Sequence, residues 1–168
     1  IEPFNNGLLY GMTTEGGQYG GGVVFEYNIY TSVYTVKHHF NDSLEGWRPQ
    51  GSLILADNGK FYGLTTKGGL GIPGCRGGVI FSLDTNFNST SYRTEVCLCN
   101  IVQYDATSKY GEGPGGDLIQ ATNGKLYGIT SSGGISHGGV IFEYNINTQS
   151  YIQLHNCLRL SGSDPLGS

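Results

Sequence analysis

The feature that most constrains this chain is a twelve-residue segment that occurs three times. The copies are NGLLYGMTTEGG at residues 6–17, NGKFYGLTTKGG at 58–69 and NGKLYGITSSGG at 123–134. A shorter segment of the form Gly-Val-(Val/Ile)-Phe follows each copy, at residues 22–25, 78–81 and 139–142. Because one short repeat cannot bury its own apolar face, neighbouring repeats must stack against one another.

Each repeat carries the pattern of four short antiparallel strands, A to D. The Asn-Gly pair predicts a type I′ hairpin turn, since both residues tolerate positive φ, with strand A before it and strand B after it. Strand A is predicted at 52–56 and 117–121, strand B at 61–65 and strand C at 79–83. Strand D is predicted at 34–40, 92–99 and 151–157. Pro-x-Gly loops then lead to the next strand A, at 49–51, 114–116 and 165–167.

The repeat spacing predicts an all-β, β-propeller-like array of four-stranded antiparallel blades. Tyr62 lies 52 residues after Tyr10 and 65 residues before Tyr127, and four-stranded repeats of about 40 to 50 residues are typical of propeller blades. A stacked β-solenoid is the alternative, although its repeats are usually shorter, roughly 20 to 30 residues. We place repeat one at 6–57, repeat two at 58–122 and repeat three at 123–168, with the next beginning near 165.

The number of repeats suggests that the array is incomplete. Three blades are fewer than the roughly four of the smallest common propellers. The chain also starts just before the first strand B, so we expect the first blade to lack a strand A. Further repeats of a longer parent chain, or self-association of copies, would complete the ring, and we favour the longer parent.

Composition agrees with a turn-rich β protein and excludes some partners. Glycine occurs 29 times and tyrosine 12 times, and only 13% of the residues are charged, as suits strands and tight turns. The net charge of -4 argues against nucleic acid, which needs a basic footprint. No run approaches the roughly 18 apolar residues of a membrane helix, so we expect no membrane insertion.

The pattern N-G-x-[LF]-Y-G-x-T-x-x-G-G, then G-x-[VI]-F and P-x-G-x-L, resembles the GloVer (Gloeobacter–Verrucomicrobia type) repeat. That repeat occurs in predicted secreted, surface-anchored bacterial proteins, including many from Bacteroidetes. The resemblance covers nearly the whole chain and implies an exported, propeller-like array. It implies no catalytic residues. Repeat two departs from the pattern through insertions near residues 70–76 and 100–113.

The unrepeated residues are the candidates for function. In an A-B-C-D blade the B–C and D–A connections emerge on the same face, and loops on a rigid scaffold often bind ligands. The candidate ligand-binding residues on that face are Tyr19, Trp47, Arg48, Arg76, Tyr104, Tyr110 and His137. Trp47, in a D–A loop beside Arg48, could stack on a sugar or grip a peptide. The alternative is that Trp47 packs under its own loop and Arg48 forms a surface ion pair.

The cysteines suggest a staple rather than a metal site. Cys97 and Cys99 point to the same side of strand D, and Cys75 lies in the inserted loop of the same blade, so a disulfide from Cys75 to either one is plausible. The alternative is that all are reduced, buried thiols. His155 is the repeat-three equivalent of His38, which suggests a shared structural position. No cluster has convincing metal-ligand spacing, and we expect neither metal nor cofactor.

Together these observations favour a non-enzymatic protein, secreted or at the cell surface. We expect it to bind or adhere through the loop face to a glycan or a protein partner. The first alternative is a purely structural segment of a large surface protein or filament. The second is a polysaccharide-active enzyme, for which the sequence marks no paired carboxylates and no activated serine.

Overall fold

The computed structural model describes residues 7–41, 45–69, 77–87, 91–98 and 110–158, together with the backbone of residues 2–4. The first sheet contains β1 (Glu2–Phe4), β2 (Leu8–Thr13), β3 (Val23–Asn28) and β4 (Val33–His39). The middle sheet contains β5 (Trp47–Leu55), β6 (Lys60–Lys67), β7 (Val79–Asp84) and β8 (Tyr92–Cys97). The third sheet contains β9 (Gly111–Pro114), β10 (Ile119–Gln120), β11 (Leu126–Gly133), β12 (Val140–Asn145) and β13 (Ser150–Asn156).

The three sheets confirm the prediction of an all-β chain of antiparallel repeats. The first and middle sheets run in the order β1-β2-β3-β4 and β5-β6-β7-β8. In the third sheet strand A is split, so that β9 and β10 both pair with β11. Since strand A precedes the Asn-Gly turn, each sheet joins the end of one sequence repeat to the beginning of the next.

Two expectations about strand A are wrong. The first sheet does have a strand A, because β1 pairs antiparallel with β2 and places Phe4 opposite Leu8. Trp47 and Arg48 lie at the start of β5 rather than in a loop, and Pro49 also pairs, opposite Thr65. Proline lacks an N–H, so it is tolerated here because strand A is at the edge of its sheet.

The Asn-Gly turns also differ from the prediction. A type I′ turn needs positive φ at both central residues, but of the pair only Gly59 adopts one, at 76°. Gly59 N–H donates to Ala56 O at 2.9 Å, and Ala56 N–H donates to Lys60 O at 2.9 Å. The result is a three-residue hairpin loop in which a tight turn is followed by a left-handed glycine. The extra residue explains why Asn58 did not need the strained conformation.

The side chain of that asparagine has another role. Asn58 Oδ1 accepts the N–H of Lys60 at 3.1 Å, and Asn58 Nδ2 donates to the hydroxyl of Tyr62 at 2.9 Å. Asn123 makes the same bond to Tyr127 at 2.8 Å. The four-residue spacing between Asn and Tyr in the repeat therefore allows a hydrogen bond that fixes the tyrosine ring.

The middle sheet is buried on both faces. One face packs on the first sheet through a cluster that includes Tyr10, Val24, Phe61 and Phe81. Because side chains alternate along a strand, the neighbouring residues point the other way. Tyr62, Leu64, Ile80 and Leu98 pack on the third sheet against Leu126, Val140, Phe142 and Tyr144. The apolar alternation of each repeat thus buries one sheet against the next.

Candidate functional site

The ends of the B–C and D–A connections meet at one end of the first two sheets. Gln18 N–H, in the B–C turn, donates to His39 Nδ1 at the end of β4 at 3.0 Å. Arg48 N–H, at the start of β5, donates to Gly21 O in the same B–C turn at 2.9 Å. These bonds hold Trp47 and Arg48 beside a turn that is distant from them in sequence.

Arg48 adopts a backbone conformation that is uncommon for its residue type. Its φ is 57°, in the left-handed region that glycine occupies at much lower cost. The carbonyl of Arg48 accepts a hydrogen bond from Thr66 Oγ1 at 3.0 Å. Together with the bond to Gly21, this ties both backbone groups of Arg48 and leaves φ little freedom.

The third sheet builds the same backbone arrangement with a glycine. Gly113 has a φ of 60°, its N–H donates to Gly77 O at 3.0 Å, and its carbonyl accepts from Ser131 Oγ at 2.8 Å. Glu112 takes the place of Trp47, since Glu112 pairs with Ser132 as Trp47 pairs with Lys67. The conformation therefore belongs to the repeat, whereas the Trp-Arg pair belongs to one repeat only.

The side chain of Arg48 organises a small charged cluster around Trp47. Its Nη2 donates to Glu15 Oε1 at 2.7 Å. Its guanidinium lies 5.3 Å from the centre of the Trp47 ring, and Lys67 Nζ lies 5.6 Å from that centre. Two cations therefore contact one half-buried indole, an arrangement stabilised by the ring quadrupole. Arg48 Nε is buried and has no hydrogen-bond partner among the described residues.

An open groove of about 390 Å³ adjoins this cluster, between the middle and third sheets. Lys67 belongs to both, since it contacts Trp47 and lines the groove. The other lining residues are mostly polar or glycine: Gln50, Thr66, Glu112, Gly113, Pro114, Gly115, Ser131 and Ser132. An aromatic ring at the edge of a polar groove provides apolar contact together with hydrogen-bonding groups.

With this geometry established, the chain can be compared with known protein families. The profile of the Gloeobacter/Verrucomicrobia repeat matches residues 3–168. The chain belongs to the Gloeobacter/Verrucomicrobia repeat family. No curated protein matches the chain.

Sequence reasoning about this Gloeobacter/Verrucomicrobia repeat protein missed Glu15 and Lys67. Both occupy one position of the repeat, at the end of strand B, which holds Ser132 in the third copy. The sequence signal that could have identified them is that this repeat position carries opposite charges in the first two copies. A position that varies between a carboxylate, an ammonium and a hydroxyl is not maintained for packing, and it lies at the end of the sheet where the loops meet.

The remaining predicted residues are more dispersed. Tyr19 and His137 are exposed in the B–C turns of the first and third sheets, and His137 has a positive φ of 54°. Tyr110 immediately precedes β9, and its ring lies 5.1 Å from that of Tyr151 in β13 of the same sheet. Arg76 and Tyr104 lie outside the described residues. These five stay predictions, and among the described members of the original set the contacts bring together Trp47 and Arg48.

The cysteine staple also remains a prediction, because Cys75 and Cys99 lie outside the described residues. Cys97 is half-buried at the end of β8.

The strand-D histidine His38 is held by two partners, since its Nε2 lies 3.1 Å from Glu45 Oε2 and its ring stacks on Tyr92 at 4.7 Å. Within the described ranges, no three His, Cys, Asp or Glu side chains cluster to hold a metal. The same ranges contain no helix that could span a membrane.

Buried tyrosines connect the sheets of this Gloeobacter/Verrucomicrobia repeat array. The hydroxyl of Tyr144, in the third sheet, donates to Glu95 Oε2, in the middle sheet, at 2.6 Å. Burial raises the pKa of Tyr144, and the hydrogen bond and negative charge of Glu95 raise it further. Burial likewise raises the pKa of Tyr92, whose hydroxyl donates to the backbone carbonyl of Glu45. The neutral phenol of Tyr144 therefore fixes the third sheet on the middle one, and that of Tyr92 holds the connection between β4 and β5.

Proposed function

We propose that this chain is a non-enzymatic, propeller-like binding module, secreted or at the cell surface, whose ligand is a glycan. The observation that carries the proposal is Arg48 at a left-handed φ of 57°, where the third sheet has Gly113. A non-glycine residue in that region costs about 1–3 kcal/mol, and such costs concentrate at functional sites. We infer that the Arg48 side chain is retained at that cost because its guanidinium contributes to ligand binding.

The composition of the cluster favours a carbohydrate over a protein partner. The exposed carbons of an indole offer apolar contact to the C–H groups of a sugar, and neighbouring cationic donors bind its hydroxyl or carboxylate oxygens. Arg48 and Lys67 both lie within 6 Å of the Trp47 ring centre, at 5.3 and 5.6 Å. The adjoining groove is lined mostly by polar residues and glycines, which supply hydrogen-bonding groups for sugar hydroxyls.

The propeller-like arrangement is supported by the way successive sheets pack. The first sheet packs on the middle sheet and the middle sheet on the third, each through one buried cluster. β5 of the middle sheet also contacts the segment between β9 and β10 of the third, since Ser52 N–H donates to Asp117 Oδ1 at 2.6 Å. A propeller requires such contacts between the first strands of neighbouring blades, around a central channel.

The test compares the wild type with a double variant that carries the residues of the third sheet, Trp47→Glu with Arg48→Gly. Both proteins are applied to an array of acidic and neutral glycans, and hits are measured by calorimetry. We expect the wild type to bind and the double variant to lose at least tenfold in affinity at an unchanged melting temperature. Tyr30→Ala, which removes an aromatic ring that is 77% exposed in a C–D turn at the opposite end, is the matched control and should bind normally.

Two results would contradict the proposal. If the wild type binds no glycan on the array, or if the double variant binds as well as the wild type, the Trp47 cluster is not a glycan site. If the bound glycan is cleaved during incubation, the protein is an enzyme. A structural segment of a larger surface array is the second candidate, supported by the way each sheet packs on the next, and it predicts no glycan binding at all.

A further inference from the structure

Each Asn-Gly pair of the repeat is a chemically labile site. The amide nitrogen of the glycine can attack the side-chain carbonyl carbon of the asparagine, because glycine has no Cβ to obstruct the approach. The new C–N bond closes a five-membered succinimide, and the side-chain nitrogen leaves as ammonia. Water then opens the ring at either carbonyl, which gives aspartate or isoaspartate. The pairs lie at residues 6–7, 58–59 and 123–124, and the structure describes the last two completely.

Both described pairs are accessible to the water that the reaction consumes. Asn58 and Asn123 are exposed at the tips of the hairpins that join strands A and B. Around Gly59 and Gly124 the space is open, since no atom of the described residues lies within 4 Å of a Cβ built on either one. Protection of these pairs from deamidation must therefore come from the geometry of the turn rather than from burial.

The backbone of the turn holds the attacking nitrogen out of position. Gly59 N–H donates to Ala56 O at 2.9 Å, so Asn58 is the third residue of a tight turn, where ψ is typically about 0°. Closing the succinimide brings Cβ and the glycine nitrogen to the same side of the Asn58 Cα–C bond, which needs a ψ far from that value. The rotation would break the hydrogen bond to Ala56.

The asparagine side chain is also held, at both of its polar atoms. Asn58 Oδ1 accepts the N–H of Lys60 at 3.1 Å, and Asn58 Nδ2 donates to the Tyr62 hydroxyl at 2.9 Å. The bond to Lys60 belongs to the turn itself, whereas the tyrosine is an additional partner from strand B. Asn123 Nδ2 has the same partner in Tyr127, at 2.8 Å. Each hydroxyl therefore holds the nitrogen that would leave as ammonia.

We propose that the strand-B tyrosine guards the Asn-Gly turn against deamidation, with Tyr62 protecting Asn58 and Tyr127 protecting Asn123. The hydroxyl fixes the plane of the side-chain amide, so the carbonyl carbon does not turn towards the glycine nitrogen while the bond holds. A phenylalanine would fill the same space and leave that amide free to rotate. The repeat thus uses tyrosine at this position for its hydroxyl as well as for its ring.

The tyrosines are themselves held firmly enough to act in this way. Tyr62 is 2% exposed, in the cluster between the middle and third sheets. The Tyr127 hydroxyl donates to Glu143 Oε2 at 2.8 Å while it accepts from Asn123. Since a phenol can donate and accept at once, the two bonds do not compete, and the ring is fixed from both sides.

Deamidation would damage the hairpin that the pair forms. Aspartate at position 58 would place a carboxylate oxygen where Nδ2 now donates to Tyr62. Isoaspartate would add a backbone carbon to a three-residue loop, and the loop length sets the register of the strands that it joins. Because β5 and β6 lie in the buried middle sheet, an error in their register would disturb the core.

The test uses two variants with reciprocal expectations, Tyr62→Phe and Tyr127→Phe. The folded proteins are incubated at mildly alkaline pH, and peptide mass mapping follows aspartate and isoaspartate at each pair. We expect Asn58 to deamidate about fivefold faster in Tyr62→Phe than in the wild type, the factor that corresponds to the net free energy of one hydrogen bond, with Asn123 unchanged. Tyr127→Phe should accelerate Asn123 and leave Asn58 unchanged.

Two further samples calibrate the rates. The wild type unfolded in guanidinium chloride gives the rate of the unrestrained pairs, which should exceed that of the folded protein at both sites. Tyr19→Phe removes a hydroxyl that is exposed in a B–C turn, at the other end of strand B from the Asn-Gly turn, and should leave both rates unchanged. Neither comparison depends on glycan binding at Trp47.

Three results would overturn the proposal. Equal rates in the folded and unfolded wild type would show that the turn does not protect its asparagine. An unchanged Asn58 rate in Tyr62→Phe would show that the hydroxyl is not the guard. Faster reaction at both pairs in either variant would show a general loosening of the fold. If circular dichroism shows that Tyr62→Phe does not fold, the Asn123 rate in Tyr127→Phe decides, because Tyr127 is only half-buried.

Discussion

The ring of Phe81 lies directly over Gly63 on the neighbouring strand. The two residues are paired across β6 and β7, and a Cβ added to Gly63 would lie 2.5 Å from Phe81 Cζ. Gly128 and Phe142 repeat the relationship, also at 2.5 Å. The recurrence of the Tyr-Gly and Val-x-Phe segments in each repeat therefore reflects a steric pairing, in which an aromatic ring covers a glycine on the neighbouring strand.

Gly63→Ala is expected to lower the free energy of unfolding by about 1–3 kcal/mol, because the new methyl overpacks a core in which Phe81 cannot move. Gly11→Ala creates the same clash with Phe25, at 2.6 Å, but Phe25 is only half-buried and has more room to move. The free energy of unfolding should therefore fall less in Gly11→Ala than in Gly63→Ala. Urea unfolding of both variants checks the order, and equal losses would contradict the explanation from burial.

Thr65 makes a second testable contribution to the repeat. Its Oγ1 accepts the N–H of Val79 at 3.1 Å and donates to Lys67 O at 3.2 Å, and it is 0% exposed. Thr65→Val should cost about 1–3 kcal/mol, because a buried N–H loses its acceptor. Thr65→Ser keeps the hydroxyl and should cost less. If chemical denaturation gives the opposite order, the methyl rather than the hydrogen bond matters.

Arg48→Gly should change the free energy of unfolding by less than about 1 kcal/mol. Relief of the left-handed φ offsets the added freedom of glycine in the unfolded chain and the loss of the exposed pair with Glu15. Arg93→Gly, in β8, relieves no such strain and should lose about 1 kcal/mol or more. Comparable losses for the two variants in urea unfolding would show that Arg48 is retained for stability.

Alkaline pH should destabilise the protein through its buried tyrosines. Burial and Glu95 raise the pKa of Tyr144, so the neutral phenol contributes stability below the unfolded value of about 10, and that stability is lost as pH rises above it. Tyr144→Phe should flatten the fall in melting temperature above that pH. Tyr30→Phe, at a mostly exposed position, is the control and should melt like the wild type at every pH.

Most of the strand pattern could be predicted from the sequence, because aligning the three repeats identifies residues that occupy the same position in equivalent strands. The predicted strands B, C and D correspond to β6, β7 and β8 and to their equivalents. The errors fell on strand A and its turns. Pro49 is a turn residue by local preference, yet in β5 it pairs with Thr65, because β6 supplies a partner that local sequence does not reveal. Gly51 keeps the positive φ of a turn glycine, at 79°, in the irregular stretch of β5 where the register shifts.

The sequence by itself determined the repeat, the all-β class and the alternation that buries one sheet against the next, since these follow from local periodicity and recurrence. Tertiary structure alone decided which unrepeated residues meet. Glu15 lies 33 positions before Arg48, and no local pattern links them, because their contact depends on how one sheet packs on another. The structure also showed that Arg48 and Gly113 share one backbone conformation. The two positions therefore differ in the side chain that Arg48 adds.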